Sequence, residues 1–355
     1  MILLTIITLV GWCFLLFDSC TNCSGSHDYE DYEYINRIEY QTEYLVEKGN
    51  WLKVGDKELL KKADCFIKYK EKVCIMGPNG SGKSNILEAI AMIAANDQRK
   101  IDLNKLSQAG VRVARPDLMR NSFFGKKTIP NIEIDVSGYG HLNKYIISQE
   151  DDDFIMSPWK VEVTTIGNIP DLFTYAEFVA KLSGFEIYSP MIDALRGLSQ
   201  ASARYPMGLH GEDFDVILNM MPEERKRDVI IKARECISWI QSVAYDENDL
   251  LRLEGLKLGR SKSHLFFRDR YMQKKMTMFS AENANEGALV ILFYLTLLMS
   301  DKTPSFFAID NIDTGLNPRL CRHLMKMIAE IASDYNKQVL VTTHNPAFLD
   351  GMNLG

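Results

Sequence analysis

Apolar and polar positions along this 355-residue chain follow two periods, and the changes of period mark its elements. Residues 66–76 (FIKYKEKVCIM) predict a hairpin that ends in a buried strand, with glycine-rich sequence directly after it. Residues 83–95 then carry Ile86, Leu87, Ile90 and Ile93 at the spacing of one helix face, so the order is strand, loop, helix. Strict alternation returns at Ile132-Glu133-Ile134-Asp135-Val136 and at Trp159-Lys160-Val161-Glu162-Val163, which predicts an antiparallel lobe. From about 170 to 245 the pattern is helical. It is clearest in PEERKRDVIIKARECISWI, where Pro222 suits a first helical position and Val229, Ala233, Cys236, Ile237 and Ile240 share a face. The last stretch predicts a helix over 286–299, a strand over 305–310, a helix over 318–332 and a strand over 338–343, a return to α/β alternation.

Residues 1–17 (MILLTIITLVGWCFLLF) stand apart, because they are almost wholly apolar and carry no charge. The run falls slightly short of the ~20 residues that span a bilayer and lacks the basic start of a secretory signal. A membrane anchor, a buried helix and a misplaced translation start all stay open for it. The segment 1–27 is therefore set apart from three others: 28–129 and 280–355, read as the two parts of one α/β core, and 130–279, read as a β lobe with a helical insertion.

Composition narrows the function classes. A 46% hydrophobic content suffices for one large core or two modest ones. The formal charge of −6 rules out a surface coated in basic groups, so any nucleic-acid contact is confined to a patch. One stretch qualifies: residues 252–275 hold eight basic side chains against two acidic ones, with Phe266, Phe267 and Tyr271 interleaved. The bland reading of that stretch is a solvated strand pair with buried aromatics. Seven scattered cysteines do not make a secreted disulfide framework and point to a reducing, cytoplasmic setting. Cys20, Cys23 and His27 form a lone C-x-x-C with a following histidine, and no second pair completes a zinc site.

The chemistry concentrates in four places. Gly77-Pro78-Asn79-Gly80-Ser81-Gly82-Lys83-Ser84 fills every position of the phosphate-cradling pattern G-x-x-x-x-G-K-[ST], and Asn85 follows in the first helical turn. Its glycines let backbone N–H groups curl round a β-phosphate, Lys83 reaches the β and γ phosphates, and the Ser84 hydroxyl can ligate Mg²⁺. Asp310 ends an apolar strand at the sheet edge where such a loop opens, the position of an acid that holds Mg²⁺ through water. His344 follows a second apolar strand and is expected at the same edge, where an imidazole can bond a γ-phosphate. Asn285-Glu286-Gly287 opens the long apolar helix, with Asn285 as its expected N-cap.

In this order the four pieces resemble the ATP-binding-cassette-type P-loop ATPases, in particular the ATPase parts of overcoming-lysogenisation-defect proteins and relatives of the chromosome-maintenance ATPases. The resemblance covers roughly residues 60–350. It implies an α/β P-loop fold with an ABC-type head, an antiparallel lobe and a helical insertion. It also implies ATP and Mg²⁺ as ligands, with Asn285 and Gly287 in the signature element, Asp310 as the Walker B aspartate and His344 as the switch histidine. Family members dimerise head to tail around two ATP molecules, and many work with a nuclease or another effector in DNA repair or phage defence.

One departure decides the expected rate. Hydrolytic relatives place glutamate after the Walker B aspartate, where this chain has Asn311. An amide can orient the attacking water and cannot take its proton. Asp313, two residues on, is the candidate replacement carboxylate. The expectation is a slow ATPase working as an ATP-gated dimeric switch. A non-hydrolysing nucleotide-dependent scaffold is the main alternative, and a P-loop kinase fits the two late strands poorly.

Overall fold

The alternation at residues 132–136 becomes a sheet and the 3.6-residue patterns become buried helices in a computed structural model of the chain. It describes residues 2–7, 14–18, 51–54, 57–60, 63–67, 72–76, 83–114, 119, 131–138, 141–149, 157–167, 179–200, 207–257, 259–273, 278–345 and 347–348. The chain forms two compact units, Met1–Ser107 with Arg112–Val179, and Gln108–Val111 with Ala180–Gly355.

In the first unit the strands are β1 (Ile2–Ile7), β2 (Phe14–Asp18), β3 (Trp51–Val54), β4 (Lys57–Leu60), β5 (Ala63–Ile67), β6 (Lys72–Met76), β7 (Lys100–Ile101), β8 (Ile132–Gly138), β9 (His141–Gln149) and β10 (Trp159–Gly167). Six of them form one sheet in the order β5-β1-β8-β9-β10-β7. The predicted antiparallel lobe is its β8-β9-β10 part, with Ile134 opposite Tyr145 and Val161 opposite Ile147. Its pleat sorts the side chains as the alternation demands: Ile134, Val136, Trp159 and Val161 are buried, whereas Glu133, Lys160 and Glu162 are exposed.

Two expectations fail here. Residues 66–76 are not a hairpin, because β5 pairs with β1 and β6 pairs with β2. A four-residue gap is long enough to turn back and equally long enough to pass to other partners, and strand pattern alone does not choose. In the apolar run at 1–17 the described residues form strands and not a helix. It supplies β1 and β2, since a short all-apolar run has no period to separate strand from helix and pairing settles it. No helix among the described residues is long and apolar enough to cross a membrane.

Helix α1 (Lys83–Ala94) follows β6 after six residues, giving the expected strand, loop, helix order. Its burial is wider than one face, since Ala89, Ala91 and Met92 are covered together with Ile86, Leu87, Ile90 and Ile93. A helix apolar on most sides belongs inside a core. A short helix α2 (Leu103–Gln108) comes next.

The second unit contains β11 (Ile187–Tyr188), α3 (Ile192–Leu195), α4 (Phe214–Met220), α5 (Glu223–Cys236), β12 (Ile240–Tyr245), α6 (Leu250–Leu253), β13 (Leu265–Asp269), β14 (Met278–Ser280), α7 (Glu286–Met299), β15 (Phe306–Ile309), α8 (Pro318–Asp334) and β16 (Gln338–Thr343). Strands β11, β15 and β16 lie parallel in that order, and α8 forms the crossover between the last two. Their interiors are buried runs, Phe307–Ile309 and Val339–Thr343, as parallel strands covered on both faces require. Strands β12, β13 and β14 form a separate antiparallel ladder.

Here too the sequence reading needs correction. Helix α5 stops at Cys236, with Pro222 as its N-cap and not its first residue. Ile237 caps its C-terminus and Ile240 already opens β12, so two of the five residues assigned to one helical face belong to the turn and strand beyond it.

Helix α7 is the centre of this unit. Every residue from Gly287 to Met299 is buried, and the helix packs against α3, α4, α5 and α8. Phe293 meets the rings of Phe214 and Tyr188 at 6.2 Å each, and Tyr188 meets Phe307 of β15 at 5.7 Å. The central helix is thereby tied to the parallel strands through aromatic edges, each such pair adding about 0.5–1.5 kcal/mol beyond area burial. Phe293→Ala is expected to destabilise the protein by about 3–5 kcal/mol in urea unfolding, with the loss arising from the cavity it leaves.

Candidate functional site

In the second unit the predicted acids and the histidine leave the carboxyl ends of neighbouring parallel strands. Ile309 of β15 pairs with Val341 of β16, so the two strands finish almost level. The Asp310 N–H donates to the Tyr188 carbonyl at 2.8 Å, which brings the end of β11 to the same edge. Asp310, Asn311, Thr342 and His344 therefore collect at one sheet edge, the position where open α/β sheets bind ligands.

Two adjacent threonines organise this edge. The Thr342 hydroxyl donates to Asp310 Oδ1 and accepts the Asn311 N–H at 2.9 Å. Successive strand side chains point to opposite faces, so Thr343 serves a different acid. Its hydroxyl donates to Asp313 Oδ1 at 2.9 Å and accepts the Asn345 N–H at 3.0 Å. Asp313 Oδ2 lies 3.2 Å from His344 Nδ1, with the aspartate side chain 5% exposed and the histidine side chain 50% exposed. Asp313 is thus a buried carboxylate committed to Thr343 and His344, and His344 is the half-open member of the pair.

The turn between the two acids has a defined backbone. Asn311 sits in the left-handed region at φ 52°, and its carbonyl accepts the Thr314 N–H at 3.0 Å and the Thr314 hydroxyl at 2.8 Å. Asparagine tolerates that conformation better than glutamate does. The residue that departs from the hydrolytic pattern is therefore also one that its backbone favours. The Tyr294 hydroxyl of α7 donates to the Ile312 carbonyl at 3.0 Å. Burial, followed by the charge of Asp313, pushes that hydroxyl well above its ordinary range, so it stays protonated as a fixed donor. Burial likewise pushes the Cys321 thiol up to about 11, with Asp313 adding to the shift.

The proposed signature lies against the same turn. Asn285 occupies the N-cap position of α7, but its side chain makes no capping bond, which overturns its expected structural role. It is exposed, while Gly287 is buried. A Cβ at Gly287 would stand 3.3 Å from Asn285 Oδ1 and 3.6 Å from the Gly315 carbonyl, so the helix start lies close against the turn. Arg196 reaches this corner as well, with Nη2 3.4 Å from the Ala284 carbonyl and 3.5 Å from Glu286 Oε1.

In the first unit, Gly77, Pro78, Asn79, Gly80, Ser81 and Gly82 lie outside the described residues. Lys83 and Ser84 form the first turn of α1, with Lys83 buried and Ser84 half-buried. Asn85 Oδ1 lies 3.5 Å from Arg112 Nη2. The Cys20, Cys23 and His27 group and the link at 28–40 also fall outside the described residues. Among the described residues no cluster of histidine, cysteine and acidic side chains is arranged to hold a metal. The predicted Mg²⁺ ligands, the Ser84 hydroxyl and the Asp310 carboxylate, are hard oxygen donors of the kind that suits an ion keeping most of its own water.

In the basic stretch 252–275, Phe266 and Phe267 are core residues of β13, which removes two of the three aromatics from any base-stacking surface. Lys257 is also buried, and donates to the Ser263 carbonyl at 2.6 Å. Tyr271 alone of the three aromatics is exposed, with the Arg270 guanidinium over its ring at 5.3 Å. Sequence reasoning missed Thr342, Thr343, Tyr294 and Arg196. The threonines had a visible signal, since Val341-Thr342-Thr343-His344 puts hydroxyls directly before the histidine at a strand end; Tyr294 and Arg196 had none.

Residues 72–350 match the profile of the family described as "AAA domain, putative AbiEii toxin, Type IV TA system". The chain is 30% identical over 96 residues to "Protein TRIGALACTOSYLDIACYLGLYCEROL 3, chloroplastic" of Arabidopsis thaliana, covering 27% of this chain and 26% of that protein. It is 33% identical over 64 residues to "Fe(3+) ions import ATP-binding protein FbpC" of Streptomyces coelicolor, covering 18% of each. The chain thus spans about a quarter or less of the length of these curated relatives. Among solved structures, an SmcHead bound to the C-winged helix domain of ScpA aligns over 80% of this chain and 88% of that one at 14% identity, with a TM-score of 0.49.

Replacing Thr342 by valine keeps the shape and removes the hydroxyl shared by Asp310 and the Asn311 N–H. Thr342→Val is expected to cost about 0.5–1.5 kcal/mol in urea unfolding, the net worth of a hydrogen bond between half-buried groups.

Proposed function

The chain belongs to this AAA-domain family, and from that premise we propose that it is an ABC-type P-loop ATPase that hydrolyses ATP slowly and works as an ATP-gated dimeric switch. Lys83 and the backbone of residues 77–82 hold the triphosphate, while Ser84 and Asp310 hold its Mg²⁺, which when bound neutralises charge on the phosphate oxygens. Asn285 and Gly287 present the start of α7 to the nucleotide of a second copy, in a head-to-tail pair. The output passes to an effector protein, such as a nuclease in DNA repair or phage defence, in a cytoplasmic setting.

One observation supports slow turnover above the others. The residue after Asp310 is an amide in a left-handed turn, and the nearest carboxylate beyond it, Asp313, is buried against Thr343 and His344. No free carboxylate base follows the Walker B aspartate in this loop. Losing such a base lowers a rate by on the order of a hundredfold or more. The same asparagine favours a second reading, a scaffold that binds ATP and does not cleave it, and phosphate release over hours separates the two.

Lys83→Ala is expected to abolish ATP binding measured by equilibrium dialysis, and light scattering should show the subunit mass doubling with Mg²⁺ and ATP. Asn311→Glu should speed phosphate release by on the order of a hundredfold. Because glutamate at a left-handed position costs about 1–2 kcal/mol, the same variant should melt at a lower temperature. Turnover of many cycles per second with Asn311 intact would end the slow-switch reading.

A further inference from the structure

We propose that the cavity enclosed by the turn after α3, the first turn of α4, the end of β12 and the approach to β13 binds an organic cation, an ammonium or guanidinium group on a short alkyl chain. All of its lining residues belong to the second unit, and its volume is about 180 Å³. That is far more than the ~10–15 Å³ that admits one water, so the space suits a small molecule or the end of a side chain. None of the residues proposed to hold ATP or Mg²⁺ lines it.

Charge sets the sign of the ligand. Glu212, Asp213 and Asp215 line the cavity against one lysine, Lys262, whose side is exposed. Asp215 is 5% exposed, and its Oδ2 accepts both the Ser263 hydroxyl and the His264 N–H at 2.9 Å. No hydrogen bond among the described residues reaches its Oδ1, so one oxygen of a buried carboxylate is left to accept from a ligand. A second polar atom on the lining is also unanswered, since Ser199 Oγ is buried and has no hydrogen-bond partner. Polar atoms inside a protein are nearly always paired, and two unpaired ones on one cavity mark a place for a ligand's polar group. The buried Lys257 ammonium donates to the Ser263 carbonyl at 2.6 Å and is no part of the lining.

The rest of the lining narrows the cation. Among the described residues no three acidic, histidine or cysteine side chains are grouped to hold a metal ion, so the carboxylates are spread along the wall and do not meet at one point. That spread suits an ammonium or guanidinium, whose several N–H groups donate in different directions. Leu195, Phe214 and Val216 supply apolar surface for an alkyl chain. Burial first, and then the charges of Asp215, Glu247 and Asp213, push the Tyr245 hydroxyl up to about 12, so it stays a neutral hydrogen-bonding group in a negative field. His264 Nδ1 donates to the Asp246 carbonyl at 2.8 Å, which leaves Nε2 of the neutral ring as a further acceptor.

Titration calorimetry on the full chain tests this at physiological ionic strength, where exposed charges are screened. The probes are propylguanidine and butylamine, with butanol and butyrate as the uncharged and anionic controls and doubly blocked arginine as the stand-in for a partner protein's side chain. One cation should bind per chain, about tenfold or more tighter than either control. Glu212→Gln keeps an oxygen for the His210 N–H that Glu212 accepts at 3.1 Å and removes one charge, so it should weaken cation binding by about tenfold. Asp215→Asn keeps an acceptor for Ser263 and His264 and puts an amide donor in place of Oδ1, and should weaken binding by about a hundredfold. Tighter binding of blocked arginine than of propylguanidine supports the site and assigns it to a partner's side chain, and the reverse order supports it and assigns a free small molecule. If Asp215→Asn melts before titration, Glu212→Gln decides. No saturable cation binding, butyrate bound as tightly as the cations, or variants that bind like the parent protein would overturn the proposal. No reading here involves ATP, so its failure leaves the ATPase reading intact.

Discussion

The parallel pairing of β15 with β16 is the constraint on which the rest of the second unit depends. With Ile309 beside Val341, Thr342 falls next to Asp310 and Thr343 next to Asp313. A slip of one residue would turn each threonine to the opposite face and leave both acids without their hydroxyls. The register is protected by burial, because the same slip would disturb the packing of Phe307, Ile309, Val339 and Val341. Chemistry at the strand ends is thus held in place by apolar side chains that never touch it.

Helix α7 connects this edge to the core and to the element proposed to contact a second copy. Its first turn lies against Gly315, Tyr294 about two turns on bonds Ile312, and Phe293 packs on the aromatic group behind β11 and β15. A shift of this helix cannot leave the Asn311–Gly315 turn unchanged, since the two share a hydrogen bond and a close glycine approach. The start of α7 and the turn that carries Asp313 are therefore packed against each other within one unit.

Much of this arrangement was legible in the chain. The limits of α7 and β16 match the hydrophobic pattern to the residue, and β15 and α8 differ from it by one or two residues at an end. These elements are long buried runs with clear boundaries, such as Asn317 accepting the Leu320 N–H ahead of Pro318. Elements of weaker pattern were misread. The 1–17 run has no period, the 66–76 segment gives no sign of its strands' partners, and the residues from Ile237 to Ile240 continue a helical spacing while the backbone has already turned into β12.

The amino-acid order by itself determined the phosphate-loop pattern, the apolar strands that end in Asp310 and His344, and the replacement of an acid by Asn311. These are local facts, carried by residue type and spacing within a dozen positions. Tertiary structure decided which side chains meet: Thr342 with Asp310, Thr343 and His344 with Asp313, Tyr294 with Ile312. Each of those pairs joins segments 18 to 32 residues apart, across a crossover or a helix, and only the packed core fixes the register in which they arrive.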